Sequence, residues 1–480
     1  MPASALPPAG TLPSASRSTL PPAGQSALRA GVVGNFVDNL HMFLPLTALA
    51  PAIAALAGPG ASVMTGPAVV IAMMLGRPLG ALVFGRISDR LGRTRATRVA
   101  IIGTACCALL IAVIPTYHRI GALAVSAVLL ARFLGGIFIA GEYSAAIPLA
   151  MEWSPPRRRG WMSGFILSMA PWAQGTIAFA TAGLLTLMGT DAYVRYGWRL
   201  LFLIGMVCSL GMLTYYTLHV SDSPAFHRRS CRASRTGLSA LLTGRHAPIF
   251  WRAFTLMTGL WLMTDVTVLI LPSRLVTDTG LTQSQSAFTM GVASVAQALF
   301  MALTGHLSSL TGRRRLLVGW AVLAAIASPV LWLVIVRPQQ VGPAACLAAA
   351  LQVVSVAAYG PIAAYLSELF PTEVRSRGYG TAYSFSLVLP ALYPFYLGPL
   401  ESAVGHQGAP LLLLILAALL VGVGAGLGPR LSREDWDCDI DDVATAGRAP
   451  SRPHDETEVC GAAANTAKPG TPTGRTEMTR

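Results

Sequence analysis

Long apolar runs broken by short polar ones dominate this chain. Stretches of about 20 apolar residues, the length of a helix that crosses a bilayer, can be placed at 30–57, 62–84, 97–116, 121–150, 161–188, 198–219, 250–272, 285–307, 316–336, 343–366, 379–400 and 409–428. They are continuous rather than alternating, so they predict helices and not the strands of a barrel. The order predicts an all-α integral membrane protein of twelve transmembrane helices, with six-helix bundles at 30–219 and 250–430 and a cytoplasmic central loop at 220–249. Segments 1–29 and 431–480 are expected to be disordered and cytoplasmic, because their Pro, Ser, Gly, Thr and Asp content leaves too little apolar surface to bury. The start also lacks a charged stretch followed by an apolar one, so no cleaved signal peptide is expected.

One short polar motif occurs twice. Gly85, Ser88, Gly92 and Arg93 have counterparts Gly305, Ser308, Gly312 and Arg313 at one constant offset, each time between two apolar runs. Both copies are expected to be basic loops, and their spacing predicts a duplicated bundle.

Composition agrees with a membrane protein: 53% of residues are hydrophobic and 12% charged, far from the roughly 25% charged residues of a soluble domain. The net charge of +14 would suggest nucleic acid in a soluble protein, so its placement matters. Arg86, Arg90, Arg93, Arg95 and Arg98 follow the second run; Arg157, Arg158 and Arg159 follow the fourth; Arg228, Arg229, Arg232, Arg235 and Arg245 follow the sixth; Arg313, Arg314 and Arg315 follow the eighth. Alternate connections carry the arginine, so the charge orients helices, places both termini in the cytoplasm and gives no reason to expect nucleic-acid binding. The seven cysteines show neither a disulfide framework nor metal-ligand spacing. Lys468 is alone among 35 basic residues, and with abundant Ala, Gly and Arg this suggests a GC-rich bacterial gene.

The paired loops in a six-plus-six layout resemble the major facilitator superfamily. Arg77-Pro78-Leu79-Gly80, Arg132-Phe133-Leu134-Gly135-Gly136, Gly141-Glu142-Tyr143, Glu152-Trp153-Ser154-Pro155 with Arg159-Gly160, and Gly197-Trp198-Arg199 resemble its metabolite:proton symporter branch. Glu368 to Gly378 mirrors Glu152 to Gly160 and is shared with sugar-porter-like members. In the first span, Asp38 stands where the branch carries glutamate and His41 where it carries aspartate. The resemblance implies the major facilitator fold and a monomer. It also implies a cytoplasmic gate built from Asp89, Arg90, Arg93, Glu152, Arg159, Glu368 and Arg375.

Asp38, Arg132, Glu142 and Asp265 fall inside predicted spans. Each would cost about 2.5–3.5 kcal/mol at the bilayer centre, a penalty relieved by a shared aqueous cavity. Asp38, His41, Glu142 and Asp265 are therefore candidates for proton coupling. Asp38 and Asp265 each precede a proline, Pro45 and Pro272, by seven residues, which predicts kinked, cavity-lining first and seventh helices. Arg132 is the candidate for binding an anionic substrate, since its planar fork can hold a carboxylate bidentately. Arg77, near the cytoplasmic part of the second span, is expected to support the adjacent loop. Trp172, Gln174, Gln297, Gln352, Tyr359 and Tyr383 are candidate substrate contacts.

No phosphate loop, catalytic triad context or HExxH motif occurs, so neither an enzyme nor an ATP-driven pump is expected. The residues predict a secondary transporter in a lipid bilayer that moves a small polar, carboxylated metabolite with no cofactor beyond the proton as coupling ion. Proton-antiport efflux of drugs or secondary metabolites and a non-transporting sensor remain open alternatives.

Overall fold

A computed structural model describes residues 22–58, 65–222, 241–337, 340–371 and 374–429. The predicted C-terminal tail, most of the central loop and the first 21 residues lie outside this set. Nine of the described helices are long and apolar enough to cross a membrane, and two bent pairs raise the number to eleven. One of the nine, Pro156–His219, has 64 residues, far more than a bilayer needs. Gly189 (φ 75°) and a π turn at Tyr193–Gly197 reverse the chain within it, which makes twelve crossings.

These are α1 (Pro22–Ala48, bent by 43° into Ala50–Ala57), α2 (Thr65–Leu91), α3 (Arg93–Val113), α4 (Leu123–Trp153), α5 (Arg159–Ala192) and α6 (Trp198–His219). After the central connection come α7 (Ala247–Thr277), α8 (Gln283–Thr311), α9 (Arg313–Ile335), α10 (Val341–Leu369), α11 (Arg375–Ala391, bent by 47° into Tyr393–Val404) and α12 (Gly408–Gly426).

Two expectations change. Residues 22–29 belong to α1 rather than to a disordered start. Pro22 sits where a helix loses nothing by lacking an N–H, and Ala27 and Leu28 are buried against other helices. The duplicated motif is also not a loop. Its residues up to Leu91 and Thr311 are helical, a single glycine follows, and the next helix begins at Arg93 or Arg313. Gly92 (φ 101°) and Gly312 (φ 95°) adopt a conformation that residues with a Cβ avoid, so a sharp reversal needs one residue. The Asp222 carboxylate accepts from the Thr94 backbone N–H (2.9 Å) and hydroxyl (3.0 Å) at the start of α3, where the helix dipole favours an anion.

Small residues let helices approach. A Cβ on Gly76 or Gly80 of α2 would overlap the carbonyls of Phe133 and Ile137 in α4, and one on Gly136 would overlap that of Met73. The halves meet in the same way, with Gly160 and Gly164 of α5 against Gly305 of α8. This is the small-residue packing that replaces a hydrophobic driving force between helices in lipid. Leu299, Ile326, Val207 and Leu419 are exposed on the outer surface, where lipid tails would cover them. Gly136→Leu is expected to force α2 and α4 apart and lower the melting temperature in detergent by several degrees. The comparison is Leu130→Ala on the exposed face of α4, which should change it little.

Between the halves, α5 packs on α8 and α2 on α11. The largest apolar cluster crosses this junction, joining Met73, Tyr143 and Ile166 to Met257, Trp261 and Tyr383.

Candidate transport site

Pro45 has no N–H to give the His41 carbonyl four residues earlier, and α1 loosens there into a π turn, Leu44–Ala48. The α7 helix does the same at Asp265–Ile270, just before Pro272. Carbonyls freed at membrane depth need a new donor. Arg132 supplies it in the first half: Nη1 donates to the His41 carbonyl (2.9 Å), and Nη2 contacts the Met42 carbonyl (3.5 Å) and the Met73 sulfur (2.6 Å). Gln352 stands one repeat spacing later, the spacing that separates Gly85 from Gly305, and its Nε2 donates to the Thr267 carbonyl (3.3 Å) in the π turn of α7. The cation expected to hold a substrate therefore has its fork turned to backbone, and so does its counterpart.

Arg77 is the cation left over. It is fully buried, and none of its three side-chain nitrogens has a hydrogen-bond partner among the described residues. Its guanidinium carbon lies 4.8 Å from the ring centre of Tyr143, 5.5 Å from Trp261 and 5.7 Å from Tyr383. From sequence, Arg77 was expected chiefly to support the adjacent loop.

Those three rings line a central cavity of about 60 Å³ together with Asn39, Gln174, Gln297 and Tyr359. Ligand pockets usually measure about 300–1,000 Å³, so this narrow space must widen to admit a metabolite. Of the expected contacts, Gln174, Gln297, Tyr359 and Tyr383 line it, while Gln352 and the half-buried Trp172 do not. Sequence reading missed Asn39, Tyr143 and Trp261. The Asn39 amide donates to the Tyr143 hydroxyl (3.0 Å) and the Asn35 carbonyl (2.7 Å), while Trp261 Nε1 donates to the Tyr383 carbonyl (3.1 Å). Tyr143 stacks on Tyr383 across the halves with centroids 5.0 Å apart.

Asp38 and Glu142 come together, close enough for their carboxyls to share a hydrogen bond, with Arg77 as the cation acting on Asp38. His41 instead faces α6, where Nε2 meets the Ser209 hydroxyl at 2.7 Å. Asp265 is 1% exposed, and neither carboxyl oxygen has a hydrogen-bond partner among the described residues.

On the arginine-rich face, two buried carboxylates cross-link the halves. Glu152 at the end of α4 holds Arg93 of its own half at 2.7 Å and Arg375 of the other at 2.7 Å. Glu368 at the end of α10 holds Arg313 of its own half at 2.6 and 2.7 Å and Arg159 of the other at 3.5 Å. Each acid thus grips one arginine on each side of the junction. Arg90 is exposed, and the Asp89 side chain lies outside the described residues. Arg313 adds to the group expected from sequence.

At the far end of α7 a second polar cluster borders a cavity of about 440 Å³, with Arg274 bonded to Glu401 and His406, and His406 3.3 Å from Asp278. Burial pushes the Asp278 carboxyl up, but hydrogen bonds from Thr277, Gln407 and His406 and the charge of Arg274 outweigh it and hold it below the usual range.

The sequence profile of the Major Facilitator Superfamily matches residues 32–394 and 254–439. The chain belongs to the Major Facilitator Superfamily. It is therefore a multi-pass membrane transporter rather than an enzyme. It is 27% identical over 385 residues to the glycine betaine/proline/ectoine/pipecolic acid transporter OusA of Dickeya dadantii, covering 77% of this chain and 75% of that one. It is 28% identical over 410 residues to the citrate-proton symporter of Salmonella typhi, covering 83% and 93%. The fold resembles that of the proton:xylose symporter XylE, with a TM-score of 0.67 at 17% identity over 84% of this chain and 94% of that one.

Proposed function

We propose that this transporter carries a small carboxylated metabolite together with a proton across the bacterial inner membrane, by alternating access, as a monomer with both termini in the cytoplasm. The Arg77 guanidinium carries the reading: it is fully buried beside the cavity with no hydrogen-bonded partner among the described residues. An arginine so placed costs about 2.5–3.5 kcal/mol on the insertion scale, and a substrate carboxylate would relieve this with charge-assisted, bidentate hydrogen bonds. Citrate, proline and glycine betaine, which are among the compounds in the relatives' names, all bear a carboxylate. The rings beside Arg77 favour those that also bear an ammonium group, because a cation is drawn to an aromatic face.

Coupling follows from the neighbourhood of Arg77. A substrate carboxylate that takes up the guanidinium removes the nearest cation from the Asp38–Glu142 pair, and a proton replaces it. Substrate and proton then favour each other's binding, as linkage requires of two ligands that prefer the same state. Asp265 of α7, whose carboxyl has no hydrogen-bond partner among the described residues, is the further coupling candidate. Arginine on the gate face supports its cytoplasmic placement.

The test is uptake of labelled proline, glycine betaine and citrate by cells making the wild type or Arg77→Gln. Accumulation that a protonophore collapses is expected for at least one compound. Arg77→Gln should reduce uptake at low substrate by roughly 10- to 150-fold, the worth of a hydrogen bond to a charged group. Lowered accumulation in wild-type cells would instead indicate efflux, and no effect on any compound a sensor.

A further inference from the structure

The aromatic cage is already occupied, by the protein itself. Arg77 of α2 lies within cation–π distance of three ring faces, Tyr143 from α4, Trp261 from α7 and Tyr383 from α11. The rings brace one another, Tyr143 stacked on Tyr383 at 25° and Trp261 edge-on to Tyr383 at 81°. All three rings line the cavity, and the Arg77 guanidinium carbon lies within 5.7 Å of each ring centre. Arginine commonly forms salt bridges in buried sites, yet here its charge is met by ring faces and not by a hydrogen-bonded acceptor.

We propose that Arg77 is a tethered cation that fills the cage of the empty transporter and so selects against ligands that bring only a positive charge. This rests on the central cavity being the substrate site, as proposed above. A quaternary ammonium ion has the charge and apolar shell that such a cage prefers. To enter, it must displace the guanidinium from the rings without bringing an anion of its own to hold it. A ligand that also bears a carboxylate supplies that partner: the anion draws Arg77 off the rings, and the ligand's cation takes its place. Specificity arises from the penalty imposed on the wrong ligand. Because the rings come from both halves, the exchange also changes contacts across the junction that must open.

Removing the guanidinium leaves the cage vacant. The full-length protein is purified as wild type, Arg77→Ala, Arg77→Gln and Arg77→Ala/Trp261→Leu, and its thermal stability is followed against tetramethylammonium and 3,3-dimethylbutanoate. Tetramethylammonium is expected to bind Arg77→Ala and Arg77→Gln on the order of 30-fold more tightly than wild type, the equivalent of a desolvated cation–π contact. The gain should vanish in Arg77→Ala/Trp261→Leu. Dimethylbutanoate, which has a carboxylate and no cation, should lose affinity in the same variants. If folded Arg77→Ala and Arg77→Gln gain no affinity for tetramethylammonium, or wild type binds it equally well, the tethered-cation proposal falls. In that case wild-type carboxylate uptake that depends on Arg77 would leave the transport reading standing. Gain of cation binding in a protein that takes up no carboxylate would keep the cage and overturn the carboxylate reading.

Discussion

Proteoliposomes holding Glu142→Gln or Asp38→Asn are expected to exchange substrate across the membrane but not to accumulate it when a pH gradient is imposed. One pH unit is worth 1.36 kcal/mol per proton, so a one-proton symporter with the membrane potential clamped concentrates substrate about tenfold. The two carboxyls lie within hydrogen-bonding reach of each other in a buried setting, and a proton taken up by the pair is the one best placed to come and go as the cavity changes its opening. An amide at either position keeps the shape and some of the hydrogen bonding but cannot release a proton. Its accumulation ratio should fall to about one, while exchange, which needs no net proton movement, survives. His41→Gln should retain the gradient response, because that ring is bonded to Ser209 on the far side of α1. Tenfold accumulation by both carboxyl variants would remove the pair from the coupling step and leave Asp265 as the group to examine.

How much of this was visible in the sequence depended on whether a residue's meaning is local. Twelve apolar runs, the duplicated motif and the carboxylates and arginines near the helix ends are legible, because a charge beside a hydrophobic run stands out whatever surrounds it. That Glu152, Glu368, Arg93, Arg159 and Arg375 form one group was implied only by the family resemblance. The roles of Arg77 and Arg132 were not legible. Both are arginines in apolar helices, and they are distinguished by a kink in a third helix: the carbonyl that Pro45 leaves free occupies Arg132, so Arg77 remains. Tyr143 and Trp261 were missed because aromatic residues in membrane helices are usually packing, and only the crossing of α4, α7 and α11 gathers their rings. The duplicated motif was found but misread as a loop, since one glycine conformation does the work expected of nine residues.

The second large effect concerns the gate. In Glu152→Gln/Glu368→Gln the two halves should separate on the arginine-rich face, seen as a longer distance between spin labels at Arg90 and Arg315, at the end of α2 and start of α9. Removing one partner from a buried ion pair costs about 3–5 kcal/mol, because the other charge remains buried and unpaired. Here each carboxylate serves two arginines, one per half, and opening the face lets water reach all four. The closed state therefore loses stability that the open state keeps. Moving a two-state equilibrium from 1:99 to 99:1 takes about 5.5 kcal/mol, within reach of the double variant and beyond either single one. Glu152→Gln and Glu368→Gln alone should each give a mixture of short and long distances. The two sites touch, because Arg375 also donates to the Ser367 and Phe370 carbonyls on either side of Glu368, so their effects should couple rather than simply add. Unchanged distances in a folded, monodisperse double variant would mean that the glycine contacts of α5 with α8, and not the ion pairs, hold this face shut.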